Sequence, residues 1–103
     1  RVAGRTKDFL RTGDGGWLSP GEAVDAVDPG RNSVIDFQVV QKPDRNLDIL
    51  VVQRDDASAE ADRAAVVETL DRIVNPPETP TIRRVDHIPL TPGGKLRTLV
   101  AER

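Results

Sequence analysis

The amino-acid sequence predicts an α+β domain: a three-stranded sheet flanked by two to three helices, with a small N-terminal β-hairpin. Three observations predict this class. Two runs of β-branched residues lie close together in mid-chain, an apolar pattern of helical period follows them, and clusters of glycine and proline separate the segments. A chain of 103 residues is long enough for one domain with a modest core.

The N-terminal third holds the predicted hairpin and a predicted helix. Residues 8–12 and 16–18 are predicted strands, because the glycine cluster between them favours a turn. The helix is predicted to begin after Ser19, with Glu22 three residues later as in a capping box, and to end near Val27. The side chains expected to face the core are Ala23, Val24 and Val27.

The middle of the chain holds two predicted strands and the strongest predicted helix. Residues 34–40 and 47–52 are rich in β-branched side chains and flank a turn-forming segment, so we expect an antiparallel hairpin. Residues 58–74 show helical periodicity, and Ser58 is expected to cap the helix. Its core-facing positions are expected to be Val66, Val67, Leu70, Ile73 and Val74.

The last quarter is predicted to contain a strand, a loop and a short helix. Residues 81–85 are the predicted third strand, and residues 96–101 are predicted to form a closing helix. The intervening residues 89–94 include two prolines and two glycines, a composition typical of an irregular loop. Lys95 follows directly, so the sequence predicts a cation carried at the end of a loop.

Composition argues against several classes of protein. The chain has no cysteine and a single histidine, His87, so no metal site of thiolates or several histidines is expected. The formal charge of −2 gives no reason to expect nucleic acid or an anionic membrane as partner. No apolar run approaches the roughly 20 residues of a membrane span. The N-terminus also lacks the apolar core of a signal peptide, so a cytoplasmic location is expected.

Two short segments carry the chemical signal. A lysine after a glycine-rich loop suits phosphate or carboxylate oxygens and offsets negative charge in a transition state. Alone, the sequence PGGK before residue 96 is a common surface turn, and it lacks the spacing of a Walker phosphate loop. The segment GRTKD at residues 4–8 is also weak alone, because it fits an ordinary polar approach to a strand.

Together the two segments resemble the C-terminal subdomain of the adenylate-forming superfamily, which includes acyl- and aryl-CoA ligases, luciferases and peptide-synthetase adenylation domains. Residues 4–8 match the pattern G-R-x-[D/K]-D with which that subdomain begins. The pattern P-x-T-x-x-G-K near its end is filled by Pro89, Thr91, Gly94 and Lys95. The similarity spans essentially the whole chain and is greatest to the phenylacetate-CoA ligase branch.

The resemblance implies a ligase that joins a carboxylic acid to a thiol in two half-reactions. ATP and the acid give an acyl-adenylate and pyrophosphate, and after rotation of the small domain a thiol attacks the adenylate. Lys95 is then the catalytic residue that bridges the carboxylate and the α-phosphate, and Lys7 is the hinge. Arg5 is expected near the nucleotide ribose. Gly13 and Gly15 are expected to line the pantetheine channel, with a plain hairpin turn as an equal alternative.

The resemblance also implies a larger parent chain. Arg1 is not a natural initiator, so we expect residues 1–103 to be a lid subdomain that follows a large N-terminal adenylation domain. That domain would supply the carboxylate pocket and the sites for ATP and Mg²⁺. ATP, Mg²⁺ and CoA are therefore expected cofactors of the full-length enzyme, and none is expected to bind this chain alone.

Two other functions remain open. The adenylate is passed in some relatives to the phosphopantetheine of a carrier protein, and the GDGGW segment, one residue longer than is usual in the family, favours this acceptor. The chain is alternatively a non-catalytic interaction module, which predicts a buried or ion-paired Lys95. His87 is expected to be structural or at the surface. Trp17 is expected to pack on the hairpin or to be exposed toward the partner domain.

Overall fold

The computed structural model describes residues 9–27, 33–90, 94 and 97–102, and within these ranges it has the predicted α+β class. The first strands form an antiparallel hairpin, in which Leu10 lies opposite Leu18. In chain order the elements are β1 (Leu10–Arg11), β2 (Trp17–Leu18), α1 (Pro20–Val27), β3 (Val34–Gln41), β4 (Leu47–Gln53), α2 (Ala59–Val74), β5 (Thr81–Arg84) and β6 (Leu99–Ala101).

The main sheet has four strands in the order β5-β4-β3-β6, one more than predicted. The predicted hairpin of β3 and β4 is confirmed, and β5 lies parallel to β4. The predicted helix over residues 96–101 is wrong, because Leu99 pairs in parallel with Val39 as the start of β6. Such a short apolar segment suits either structure, and the open edge of β3 supplies hydrogen-bond partners that only a strand uses fully.

The two faces of the main sheet differ in burial. Alternate residues of β3 and β4 point toward the helices and are buried, which defines the helix face. The opposite side, the open face, is half-buried or exposed and carries Asp36, Gln38, Val40, Asp48, Leu50 and Val52. The main core combines the helix face with both helices and the hairpin; its members include Phe37, Val39, Ile49, Val51, Val66, Leu70, Val74, Ala23, Val27, Leu10 and Leu18.

Helix α1 contacts the core through a narrower stripe than predicted. Ala23 and Val27 are buried, but Val24 is 39% exposed, so its predicted inward orientation is wrong. A residue adjacent to Ala23 is rotated by about 100° around the helix axis, whereas Val27 returns to within about 40° of it. A helix of eight residues that meets the core along one line therefore leaves Val24 outside.

The two helices begin in different ways. In α1 the capping box is confirmed: the Ser19 N–H donates to Glu22 Oε1 at 2.9 Å, and the Glu22 N–H donates to Ser19 Oγ at 3.1 Å. In α2 the predicted cap is wrong, since within the described residues the Ser58 side chain makes no capping bond. Ser58 is already in the helical region of φ/ψ, and its N–H and hydroxyl both donate to Asp56 Oδ1.

The capping box makes stability depend on pH. Hydrogen bonds from Ser19 hold the pKa of Glu22 below its ordinary value of 4.5. The stabilisation is therefore complete above that value and is lost as the pH falls through the folded-state pKa. We expect Glu22→Gln to lower the melting temperature at neutral pH, and the difference from the wild type to shrink as the pH falls below 4.5.

Thermal melts followed by circular dichroism at each pH measure this difference. Asp25→Asn is the matched control, because it removes an exposed carboxylate from the same helix but leaves the capping box intact. A difference between wild type and Glu22→Gln that is constant with pH, or one that Asp25→Asn reproduces, would contradict the assignment.

A buried polar cluster ties the start of β3 to α2. Asp62 Oδ2 accepts hydrogen bonds from the N–H and the hydroxyl of Ser33. The side-chain amide of Gln53 donates to Ser33 Oγ and to the carbonyl of Ala59, and Arg63 donates to Gln53 Oε1. Burial is tolerated because each of these groups has a hydrogen-bonding partner.

Candidate functional site

The structure describes some of the predicted site residues and the flanks of the others. Lys95, Arg5 and Lys7 lie outside the described residues. Gly13 and Gly15 are described, as is Gly94, the residue before Lys95. The geometry of the candidate site is therefore that of the loop around Lys95 and of the glycine-containing hairpin.

The loop that contains Lys95, residues 85–97, is named here the lysine loop. At its beginning the Val85 N–H donates to the carbonyl of Val51 at 2.9 Å. At its end the side-chain amide of Gln38 donates to the carbonyl of Arg97 at 2.9 Å. Both ends are thus fixed to the central hairpin of β3 and β4, and the loop connects β5 at one edge of the sheet to β6 at the other.

The first half of the lysine loop lies on the open face. Residues 86–90 border a wide depression of about 620 Å³ together with Asp36 and Val52. Ile88 is only 5% exposed, whereas Leu90 is 59% exposed. Burial of Ile88 therefore anchors this stretch and leaves the following residue pair at the surface. His87 is exposed, in agreement with the surface alternative.

Gly94 takes a backbone conformation that favours glycine. Its φ of +81° lies in the left-handed region, where a side chain would be strained. It is exposed, and no described atom lies within 4 Å of where its Cβ would be. The position before Lys95 is therefore reserved for glycine by its backbone conformation.

The hairpin turn, residues 12–16, is named here the glycine loop, and it is held by its own hydrogen bonds. The Thr12 N–H donates to the Gly16 carbonyl at 3.0 Å, and the Gly15 N–H donates to the Thr12 carbonyl at 3.1 Å. The Thr12 hydroxyl and the Gly16 N–H donate to Asp14 Oδ1, and they lower the pKa of that carboxyl. Gly15 takes φ +88°, which favours glycine there.

Gly13 is required by packing. Its N–H donates to the Val74 carbonyl at 2.8 Å, where α2 ends. A Cβ on Gly13 would lie 2.8 Å from the Asn75 carbonyl oxygen and 2.7 Å from Asn75 Nδ2. The absence of a side chain at Gly13 is thus explained within the domain. Around Gly15, by contrast, no described atom lies within 4 Å of a Cβ position.

A buried glutamine fixes the hairpin to the sheet. Gln41, 1% exposed, is the last residue of β3 and lies on the helix face. Its Oε1 accepts from the Arg11 N–H at 2.8 Å, and its Nε2 donates to the Arg11 carbonyl at 2.9 Å. The amide thereby acts toward β1 as a neighbouring strand would, because it offers one acceptor and one donor side by side.

The described start of the lysine loop and the hairpin that carries the glycine loop are attached to different faces of the main sheet. Residues 86–90 lie beside Asp36 on the open face, and Gln38 of the same face bonds Arg97 at the end of the loop. The hairpin that carries the glycine loop is fixed to Gln41 on the helix face, at the other end of the strand. The described residues 86–90 and the hairpin therefore lie on opposite faces of the main sheet.

Sequence reasoning missed both glutamine anchors. Gln41 could have been identified, because side chains alternate along a strand and Gln41 lies on the same side of β3 as Phe37 and Val39. A polar residue therefore occupies a core-facing position. Gln38 had none, since its partner Arg97 is 59 residues away in the sequence. Trp17 is 52% exposed on the hairpin, which agrees with the second alternative given for it.

Two further observations concern the described residues as a set. They contain no group of three or more histidine, cysteine, aspartate or glutamate residues placed to hold a metal ion. No helix among them is both long and apolar enough to cross a lipid bilayer.

The chain has the fold of a domain that occurs in a CoA ligase. The particular structure is the crystal structure of a domain of phenylacetate-coenzyme A ligase from Bacteroides vulgatus, with a TM-score of 0.60. The match covers 96% of this chain and 97% of that one at 12% sequence identity, so it establishes the fold. No protein-family model and no curated protein matches the chain. The resemblance inferred from the two motifs is confirmed at the level of fold.

Proposed function

We propose that this chain is the C-terminal lid subdomain of an adenylate-forming ligase. The enzyme activates a carboxylic acid with ATP and transfers the acyl group to a thiol, for which CoA is the first candidate. One observation carries the proposal. The motif of Pro89, Thr91, Gly94 and Lys95 falls on a loop fixed at both ends, within a domain that has the fold of a phenylacetate-CoA ligase domain.

The proposed role of Lys95 is electrostatic. Negative charge is redistributed between the acid carboxylate and the α-phosphate when the adenylate forms, and a compact ammonium group between them lowers the energy of that transition state. Such a group must be delivered at a defined position, which a loop with two fixed ends favours over a free one. Arg5 is proposed to contact the nucleotide ribose, as the resemblance implies.

The substrate pocket is proposed to lie outside this chain. The three aromatic residues of the sequence are Phe9, Trp17 and Phe37, which are too few for an aromatic-lined pocket. We therefore assign the acid pocket, the ATP phosphates and Mg²⁺ to a large N-terminal domain of the parent chain. Lys95 would reach that site only while the lid is closed on it.

The placement of residues 86–90 and of the hairpin on opposite faces of the main sheet supports a lid that works in two orientations. In the first, the open face brings the lysine loop to the nucleotide. Rotation about a hinge at Lys7 then presents the other side, with Gly15 and the exposed Trp17, to the pantetheine arm of the thiol substrate. Gly13 is exposed, but its lack of a side chain is already explained by the close approach of Asn75, so this scheme assigns it no contact with the thiol.

The test uses the full-length parent polypeptide. We expect a carboxylic acid from a panel of aryl and acyl acids to support exchange of labelled pyrophosphate into ATP, and CoA to convert the adenylate to a thioester. Deletion of residues 1–103 should abolish the exchange, and the isolated chain should show none. A parent that lacks an ATP-binding domain, or that exchanges pyrophosphate equally well after the deletion, would overturn the proposal.

The same assay distinguishes a carrier-protein acceptor from free CoA. A carrier protein loaded with phosphopantetheine is offered in place of free CoA. Faster acyl transfer to the carrier would assign the chain to the adenylating enzymes that load carrier proteins. The longer glycine loop favours this alternative.

A further inference from the structure

We infer that Gln41 is a positioning residue for the half-reaction in which the thiol attacks the acyl-adenylate, because its buried amide fixes the hairpin that carries the glycine loop and Trp17; the inference rests on the proposed function. Gln41 Oε1 accepts from the Arg11 N–H at 2.8 Å, and Gln41 Nε2 donates to the Arg11 carbonyl at 2.9 Å. Both distances are those of well-formed hydrogen bonds. One side chain thus holds both polar groups of a single backbone residue of β1.

Arg11 lies at the base of the glycine loop. It is the last residue of β1, and Thr12 follows it directly as the first residue of the loop. Across the hairpin Arg11 lies opposite Trp17, the residue that follows the loop. The Arg11 guanidinium adds a third contact, since it donates to the Pro43 carbonyl at 3.1 Å. The contacts that fix Arg11 therefore also fix the base of the loop and the exposed residue Trp17 next to it.

The glycine loop is held more firmly in its first half than in its second. Gly13, in the first half, donates to the Val74 carbonyl at the end of α2, whereas Gly15 has no described atom within 4 Å of its Cβ position. Leu10 and Leu18 are buried in the core on the two strands of the hairpin. Without the glutamine amide, the hairpin would therefore pivot about these points rather than detach, and we expect the side that bears Gly15 to move most.

The amide of Gln41 serves the hairpin and not the main sheet. Gln41 occupies a core-facing position of β3, where a buried amide costs free energy unless its polar atoms are bonded. The main sheet is bonded there through the backbone, since the Gln41 carbonyl accepts from the Glu102 N–H at 2.8 Å. Within the part of the chain that the structure describes, both side-chain hydrogen bonds of Gln41 go to Arg11.

The expected cost follows from the geometry of positioning. A displacement of about 1 Å in a group that positions a substrate is enough to slow a reaction by up to about 100-fold. A hairpin that is still held by two buried leucines takes up the productive position for part of the time. We therefore expect loss of the amide to lower kcat/KM for CoA, measured from supplied acyl-adenylate, by about three- to tenfold.

The substitutions are made in the full-length parent enzyme. Gln41→Met keeps the length of the side chain and removes both hydrogen-bonding groups. Gln41→Asn keeps the amide but withdraws it by one methylene, so it should cause a smaller loss in the same direction, and it decides the outcome if Gln41→Met does not fold. In both variants acid-dependent pyrophosphate exchange should stay within about twofold of the wild type, because the hairpin makes no contact in that half-reaction of the proposed scheme.

Gln53→Met is the matched control. Gln53 is another buried glutamine of the helix face, but it lies in the last position of β4 and bonds the polar cluster at the start of β3. Its replacement removes a comparable buried amide and leaves the contacts of Arg11 intact. We expect Gln53→Met to leave the ratio of the two half-reaction rates unchanged.

Amide hydrogen exchange in the parent enzyme follows the hairpin independently of catalysis. In Gln41→Met the peptide of residues 9–18 should exchange its amide hydrogens at least about tenfold faster than in the wild type, because two hydrogen bonds that hold it are lost. The peptide of residues 66–74 in α2 should change by less than about threefold. In Gln53→Met the hairpin peptide should keep its wild-type rate.

The outcomes separate this inference from the proposed function. Equal losses in both half-reactions of Gln41→Asn, an unchanged rate of amide exchange in the hairpin peptide, or a selective loss of the thiol step in Gln53→Met would overturn the inference. Wild-type thioester formation by both Gln41 variants would remove only the role of Gln41. If the wild-type parent formed no acyl-adenylate, or passed it to neither CoA nor a loaded carrier protein, the proposed function itself would fail.

Discussion

Replacement of Lys95 by alanine in the full-length parent should slow acyl-adenylate formation by at least about 100-fold, the usual cost of losing one group that stabilises developing charge. Thioester formation from supplied acyl-adenylate should change by less than about twofold, because the proposed role of Lys95 is confined to the first half-reaction. Pyrophosphate exchange measures the first half-reaction, and a thiol-dependent assay started from the adenylate measures the second.

Two further substitutions sharpen this prediction. Lys95→Arg keeps the charge but replaces a compact ammonium by a planar fork, so only partial recovery of exchange is expected. Lys42→Ala is the matched control: Lys42 is exposed, is ion-paired with Asp48 at 3.3 Å, and follows the last residue of β3, away from the lysine loop. A loss from Lys42→Ala comparable to that from Lys95→Ala, or an equal loss in both half-reactions, would contradict the assigned role.

Replacement of Gly13 by alanine should lower the free energy of unfolding by about 2–4 kcal/mol, the combined cost of overpacking and of a lost hydrogen bond. The new methyl group would collide with the Asn75 carbonyl oxygen, which is backbone and cannot rotate away. The hairpin would have to shift, and the bond from the Gly13 N–H to Val74 would weaken. Urea denaturation measures the change.

Gly21→Ala is the control for this substitution. Gly21 lies in the first turn of α1, and no described atom lies within 4 Å of its Cβ position. There alanine should be neutral or stabilising by up to about 1 kcal/mol, because it is the better helix former. If Gly13→Ala unfolded like the wild type but lost thioester formation, Gly13 would serve the thiol channel and its packing role would be wrong.

The sequence was sufficient to predict an element and its buried face wherever a periodic pattern was long. Helix α2 presents Val66, Leu70 and Val74 to the core at the predicted spacing, and Val67 and Ile73 pack beside them. The hairpin of β3 and β4 was equally readable, since alternation over seven or eight residues leaves one buried face. The capping box of α1 followed from two residues three apart.

Short elements and contacts between residues distant in the sequence could not be predicted from such patterns. Strand β6 has three residues, too few to show a period, and the unoccupied edge of β3 determines its structure. Ser58 met the composition of a cap, but its backbone is already helical and its N–H and hydroxyl donate to Asp56. For the site, the motif around Lys95 identified the loop, whereas its attachment to Gln38 joins residues 59 apart in the sequence.

The double attachment of the hairpin has a mechanical consequence. Gln41 is hydrogen-bonded to Arg11, and the end of α2 is hydrogen-bonded to Gly13. The hairpin is therefore attached to the body of the domain at two points. In the proposed lid, rotation about a hinge at Lys7 would therefore carry the hairpin and the main sheet together as one unit.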